Sequence, residues 1–159
     1  MAIKSAFYHQ FVGAKMELYD GALNANEITN RWYNDNKLKN YGAIMSFVGV
    51  VRDEGGIEGL SFDLYEPILK SWFDRWQEIA KAQNAIILMA HSKGDVAVHE
   101  TSFIAGVCSP QRKVALNLIN EFVEDFKANA PIWKYDLVNN ERIYALKRSQ
   151  KLQNAGILA

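Results

Sequence analysis

Hydrophobic and polar positions change rhythm several times along the chain. Residues 14–20 (Ala-Lys-Met-Glu-Leu-Tyr-Asp) alternate, which predicts a strand. Residues 25–36 place Ile28 and Trp32 four apart, the spacing of a short amphipathic helix. Residues 41–51 carry no charge and many strand formers, so they predict a buried strand. The segment 52–59 holds Gly55, Gly56 and Gly59 and reads as a loop. Alternation returns at 60–66, where Leu60, Phe62 and Leu64 oppose Ser61, Asp63 and Tyr65. Pro67 then suits the first turn of a helix. Leu69, Trp72, Trp76 and Ile79 follow at spacings of three and four, predicting a helix over 67–83.

Residues 85–91 read as a buried strand, followed by a turn at Gly94-Asp95 and a short strand at 96–98. Residues 100–108 predict another strand, and 110–128 a second long helix with Ala115, Leu118, Phe122 and Phe126 facing the core. Pro131 blocks its continuation. Residues 132–138 and 142–147 predict a hairpin across Asn139-Asn140. Two long helices each follow a strand, so the expected fold is a two-layer α+β domain with helices packed on one sheet. No repeat or linker divides the 159 residues, which predicts one domain over 1–148 and a tail over 149–159.

Composition narrows the function classes. Hydrophobic residues at 49% and charged residues at 23% exclude a disordered chain, a collagen and a coiled-coil rod. Lys plus Arg number 18 and Asp plus Glu number 18, so the zero net charge argues against nucleic-acid or membrane-surface binding. Cys108 is the single cysteine, which rules out an internal disulfide and suits a reducing compartment. No CxxC or HxxxH spacing marks a zinc site. The longest aliphatic run, 85–90, is too short to span a bilayer, and the first nine residues lack the apolar core of a signal peptide. The expectation is a soluble cytoplasmic protein.

Three basic features stand out. Arg112 and Lys113 lie in the first turn of the second long helix, and Glu121, Glu124 and Asp125 lie towards its end. Each opposes the helix dipole at a cost of about 0.3–1 kcal/mol when exposed. Backbone N–H groups and an arginine at a helix start suit a phosphate; the plain alternative is solvation, or pairing with acids elsewhere. Lys127 and Lys134 flank the turn at Pro131. Trp133 and Lys134 point to opposite strand faces, so Trp133 can anchor in the core while Lys134 faces a cleft. A lysine of this kind serves as acid, base or nucleophile; the alternative is a helix-end lysine followed by an ordinary strand lysine. Arg52 leaves a charge-free strand into a glycine-rich loop that either approaches a phosphate or is a flexible hairpin turn. Cys108 reads as core packing, and His9, His91 and His99 are too scattered for a metal cluster. Glu66, just before Pro67, reads as a local cap or bridge.

Together these segments resemble the large, catalytic subunit of molybdopterin synthase. The resemblance rests on Gly42-Ala43, Phe47-Val48-Gly49-Val50-Val51-Arg52, Leu64-Tyr65-Glu66, His91 with Gly94, Ser109-Pro110-Gln111-Arg112 and Lys127-Ala128-Asn129-Ala130-Pro131-Ile132-Trp133-Lys134. It covers residues ~14–148, and the Lys-x-x-x-Pro-x-Trp-Lys block is its most specific part.

The resemblance implies an α/β-hammerhead-like α+β fold with a small antiparallel β subdomain. It implies a central homodimer within a heterotetramer, and no metal or cofactor in this subunit. A small ubiquitin-like subunit would dock at each end and thread a C-terminal Gly-Gly thiocarboxylate into a pocket. Sulfur would pass to cyclic pyranopterin monophosphate, building the dithiolene of molybdopterin. The family's functional positions fall on Arg52, Arg112, Lys127 and Lys134, with Arg148 contributed across the dimer. Gln111 stands where many members have histidine; it hydrogen-bonds but does not titrate near neutral pH. Ser92 follows His91 where arginine is common. On this resemblance Arg52, Arg112 and Arg148 would grip phosphate or thiocarboxylate, Lys127 would stabilise charge on the departing oxygen, and Lys134 would donate a proton as the cyclic phosphate opens. Two other readings stay open: a binding module for RNA or a phosphorylated ligand, and an inactive scaffolding homologue.

Overall fold

The computed structural model describes residues 9–11 and 15–145. Arg148 and the tail 149–159 lie outside the described residues. The elements run β1 (His9–Phe11), β2 (Met16–Asp20), α1 (Ala25–Asn36), β3 (Ala43–Val50), β4 (Gly59–Leu64), α2 (Glu66–Lys81), β5 (Ile86–Ala97), β6 (Thr101–Ser109), α3 (Arg112–Asn129), β7 (Ile132–Val138) and β8 (Glu141–Tyr144). The α+β class expected from the pattern is the one observed.

β5 organises the sheet. Its first part pairs with β2 in parallel and with β6 antiparallel, and its end pairs antiparallel with β4. β4 continues the sheet to β7 and β8, while among the described residues β3 pairs with β6 alone. The turn expected at Gly94-Asp95 is replaced by unbroken strand. Gly94, at φ +79°, bends β5 where it leaves β2 and β6 for β4. A glycine therefore marks a hand-over between two sheet halves rather than a chain reversal. The hairpin at Asn139-Asn140 forms as expected, both residues at positive φ, as a type I′ turn needs.

Alternation along the central strands divides the core. Met16, Leu18, Ile87, Met89, Phe103, Ala105 and Val107 pack against α2 and α3. Tyr19, Leu88, Ala90, Ile104 and Cys108 point the other way, to Ile28 and Trp32 of α1. Both faces of the central sheet are thus covered. On the α1 side, buried Glu17 accepts from the Arg31 guanidinium at 2.7 and 2.9 Å and from Trp32 Nε1 at 3.0 Å.

α3 buries Ala115, Leu118, Phe122 and Phe126, the stripe its spacing predicts. In α2 the buried set is Leu69, Trp72, Phe73 and Ala80; Ile79, expected inside, is exposed. Asp125 ties the two helices by accepting from Trp72 Nε1 at 2.9 Å and Trp76 Nε1 at 2.8 Å. β3 corrects a second expectation. Its charge-free sequence predicts burial, yet it is a sheet-edge strand with Phe47, Val48 and Val50 exposed. Apolar content alone does not say whether the chain itself supplies the cover.

Candidate active site

Three elements deliver cations to one cavity of about 480 Å³, lined by Arg52, Lys127 and Lys134 with Glu54, Glu124 and His91. Arg52 arrives from β3. The strand's register with β6 shifts between Gly49 and Val50. Val51 is then clamped, its N–H donating to the Glu100 carbonyl at 2.9 Å and its carbonyl accepting from His99 N–H at 2.7 Å. That anchor sends the exposed Arg52 side chain over the opening, where its guanidinium donates to the Glu54 carboxylate at 2.5 Å.

Lys127 comes from the last turn of α3, where a cation suits the dipole. One flank of it is exposed, yet the surrounding protein strips water from the ammonium and pushes its pKa down, with Glu124 opposing. Lys134 comes from β7. Trp133 is buried and the half-buried Lys134 faces the cavity, as their alternation predicts. Register places Lys134 opposite Phe62 of β4, whose ring also lines the cavity.

His91 forms part of the floor. Phe62 meets its ring edge-on at 5.0 Å, and Phe126 and Phe103 lie at 5.4 and 5.7 Å. Burial, and secondarily the positive charge of Lys127, hold its pKa down to about 4, against the opposing pull of the Ser92 carbonyl. The ring is therefore neutral near pH 7. Sequence spacing gave no hint of this, nor of Glu54 and Glu124; only the meeting of the loop after β3 with β5, α3 and β7 puts them beside the lysines.

The chemistry of this cavity is that of an anion receptor with a lysine of lowered basicity. The family described as MoaE protein matches residues 19–129. The chain belongs to the MoaE family. The molybdopterin synthase catalytic subunit of Helicobacter pylori (strain ATCC 700392 / 26695) is 47% identical over 144 residues, covering 91% of this chain and 99% of that relative. The subunit of that name from Dictyostelium discoideum is 30% identical over 66% of this chain and 71% of its own length. Among solved structures, a protein–protein complex of subunits 1 and 2 of molybdopterin-converting factor from Helicobacter pylori 26695 superposes with a TM-score of 0.85 at 47% identity, over 92% of this chain and all 100% of that one. Molybdopterin synthase from Staphylococcus aureus shares the fold, with a TM-score of 0.63 at 23% identity over 80% of this chain and 93% of that one.

Two of the expected MoaE site residues stand apart from the cavity. Gln111 is the N-cap of α3 and Arg112 its first residue, both exposed. Lys127 ends the same helix, so fifteen residues, or about 22 Å along the axis, separate Arg112 from it. Arg148 lies outside the described residues. Among the described residues no group of three or more His, Cys, Asp or Glu gathers to hold a metal. No described helix is long and apolar enough to cross a membrane. Cys108 is buried, its thiol pushed up to about 11 by burial, which fits packing rather than nucleophilic chemistry.

Proposed function

We propose that this chain is the catalytic subunit of a molybdopterin synthase. In this reading a small ubiquitin-like subunit presents a C-terminal thiocarboxylate, and its sulfur is transferred to cyclic pyranopterin monophosphate. The observation that carries the reading is the convergence of Arg52, Lys127 and Lys134 on one cavity. Both guests are anions, and the exposed Arg52 fork suits either by exchanging Glu54 for the incoming group. As the thiocarboxylate sulfur bonds to the substrate carbon and the carbon–oxygen bond breaks, negative charge grows on the departing oxygen. Lys127 stabilises that charge, and Lys134 supplies a proton when the cyclic phosphate opens. Water then cleaves the acyl–sulfur bond, leaving sulfur on the substrate and a carboxylate on the small subunit.

Arg112 enters the same reading through a homodimer. Among the described residues β3 pairs on one edge only, and its eight residues carry no charge or proline to block pairing on the other. Its first residue, Ala43, pairs with Ser109, beside the start of α3; its other end leads to Arg52. Two copies joined antiparallel along β3 by a twofold axis bring the α3 start of one towards the cavity of the other. The distance between Arg112 and Lys127 within one chain then matters little. Gln111 and Arg148 are assigned to the same composite site by resemblance. Residence in the cytoplasm belongs to this reading too; a single cysteine suits a reducing compartment.

Reconstitution tests it. The purified chain, a thiocarboxylated small subunit and the cyclic precursor are expected to yield dithiolene product. Salt-sensitive RNA retention without turnover would favour the binding module, and complex formation without product the inactive scaffold.

A further inference from the structure

We propose that Glu124 is the general base for the second half of the reaction: its carboxylate takes a proton from the water that cleaves the acyl–sulfur bond. The proposal rests on the synthase reading above.

Cleavage of that bond needs a proton acceptor. The water oxygen bonds to the carbonyl carbon and gives up one proton to the base. The carbon–sulfur bond then breaks with its electron pair staying on sulfur. The new carboxylic acid releases its proton to solvent, and the base then does the same. Arg52, Lys127 and Lys134 do not suit this step while each serves as a cation.

Three other titratable side chains line the cavity: Glu54, His91 and Glu124. His91 is only 2% exposed, packed among Phe62, Phe103 and Phe126, which leaves little of the ring for a water to reach. Glu54 is held on the Arg52 guanidinium at 2.5 Å, and Gly55 and Gly56 follow it in a loop at positive φ. Glu124 differs from both. It is exposed on the cavity wall, and among the described residues its carboxylate has no hydrogen bond and no ion pair. It acts on Lys127 through its charge without pairing with it.

Three residues separate Glu124 from Lys127 on α3, so both leave the same face of the helix, with Cβ atoms about 5–6 Å apart. A water between them donates to the carboxylate, while the ammonium stabilises the carbonyl oxygen as it gains charge. This turn of the helix is a fixed platform. The next residue, Asp125, accepts from Trp72 Nε1 at 2.9 Å and Trp76 Nε1 at 2.8 Å, which pins it to α2.

The test mixes the full chain with thiocarboxylated small subunit and the cyclic precursor, and quenches the reaction in acid at intervals. Intact-mass spectrometry reads the small subunit joined to substrate, and a product assay reads dithiolene. Sulfur addition needs no base, so Glu124→Gln is expected to accumulate the joined species while dithiolene formation falls about a hundredfold. Glu124→Asp, which keeps a carboxylate, is expected to recover part of the rate. Hydroxylamine, a nucleophile that needs no help from the protein, is expected to cleave the accumulated species. Glu124 is exposed, so the substitution leaves the fold intact, and circular dichroism checks this. Four results each overturn the proposal and leave the synthase reading standing: dithiolene at nearly the unaltered rate in Glu124→Gln, a fall without the joined species, a joined species that resists hydroxylamine, or accumulation in Glu54→Gln instead. Neither joined species nor dithiolene from the unaltered chain removes both.

Discussion

Lys127 combines three properties in one side chain: a helix C-terminus behind it, a partly dehydrated ammonium, and a neutral histidine in the floor beside it. Lys127→Ala should lower dithiolene formation by about a hundredfold or more while the complex with the small subunit still assembles. Product assay beside size-exclusion chromatography checks both halves. His91 also gives the fold a pH dependence. Its folded pKa, about 4, lies below the ordinary histidine value, so between these limits the unfolded chain binds the extra proton. Stability is present above the unfolded value and falls as pH drops towards 4, by about 3 kcal/mol in all. Urea unfolding at pH 7 and pH 4.5 should show the loss, and His91→Gln should flatten the histidine part of the slope. Of these properties, the sequence shows only the position of Lys127 near a helix end. The dehydration of Lys127 and the burial of His91 under Phe62 and Phe126 arise from neighbours on other elements.

At the scale of elements, α1 and β6 meet through an absent side chain. A Cβ on Gly106 would stand 2.9 Å from the Trp32 ring, closer than real contacts allow. Trp32 has little room to yield, because its Nε1 donates to buried Glu17 at 3.0 Å. Gly106→Ala should therefore cost about 1–3 kcal/mol, read as a lower urea midpoint with an unchanged slope. The periodicities at α1, α3 and the β7–β8 hairpin were legible because local spacing and turn chemistry agree there with tertiary packing. β5 was not. A glycine followed by an aspartate is the ordinary signature of a turn, and only pairing with β4 on one side and with β2 and β6 on the other keeps the strand running. α2 shows a smaller failure of the same kind: Phe73 takes the buried place because it reaches Phe122 of α3, with ring centres 6.1 Å apart.

For the whole molecule, the open edge of β3 and the distance from Arg112 to Lys127 lead to one expectation. Arg112→Ala and Lys127→Ala chains should each be nearly inactive alone. Mixed under conditions that exchange subunits, they should recover about a quarter of the unaltered activity, since half the dimers are mixed and each carries one complete site. No recovery despite demonstrated exchange would place Arg112 outside the catalytic site. Light scattering supplies a second reading: Val48→Lys, which sets a charge on the exposed β3 strand, should convert a dimer to a monomer of unchanged circular dichroism.

By itself the sequence determined the α+β class, most helix and strand positions, the burial of Trp133 opposite Lys134, and the family, through motifs that recur in order. These are properties of spacing along a chain, and spacing is what periodicity and motif carry. Tertiary structure decided which cations share a cavity, that a histidine in its floor is neutral, and that the charge-free β3 lies at an edge. Each depends on atoms far apart in sequence coming within a few ångströms, where burial and neighbouring charge set protonation and exposure, and no local pattern encodes that.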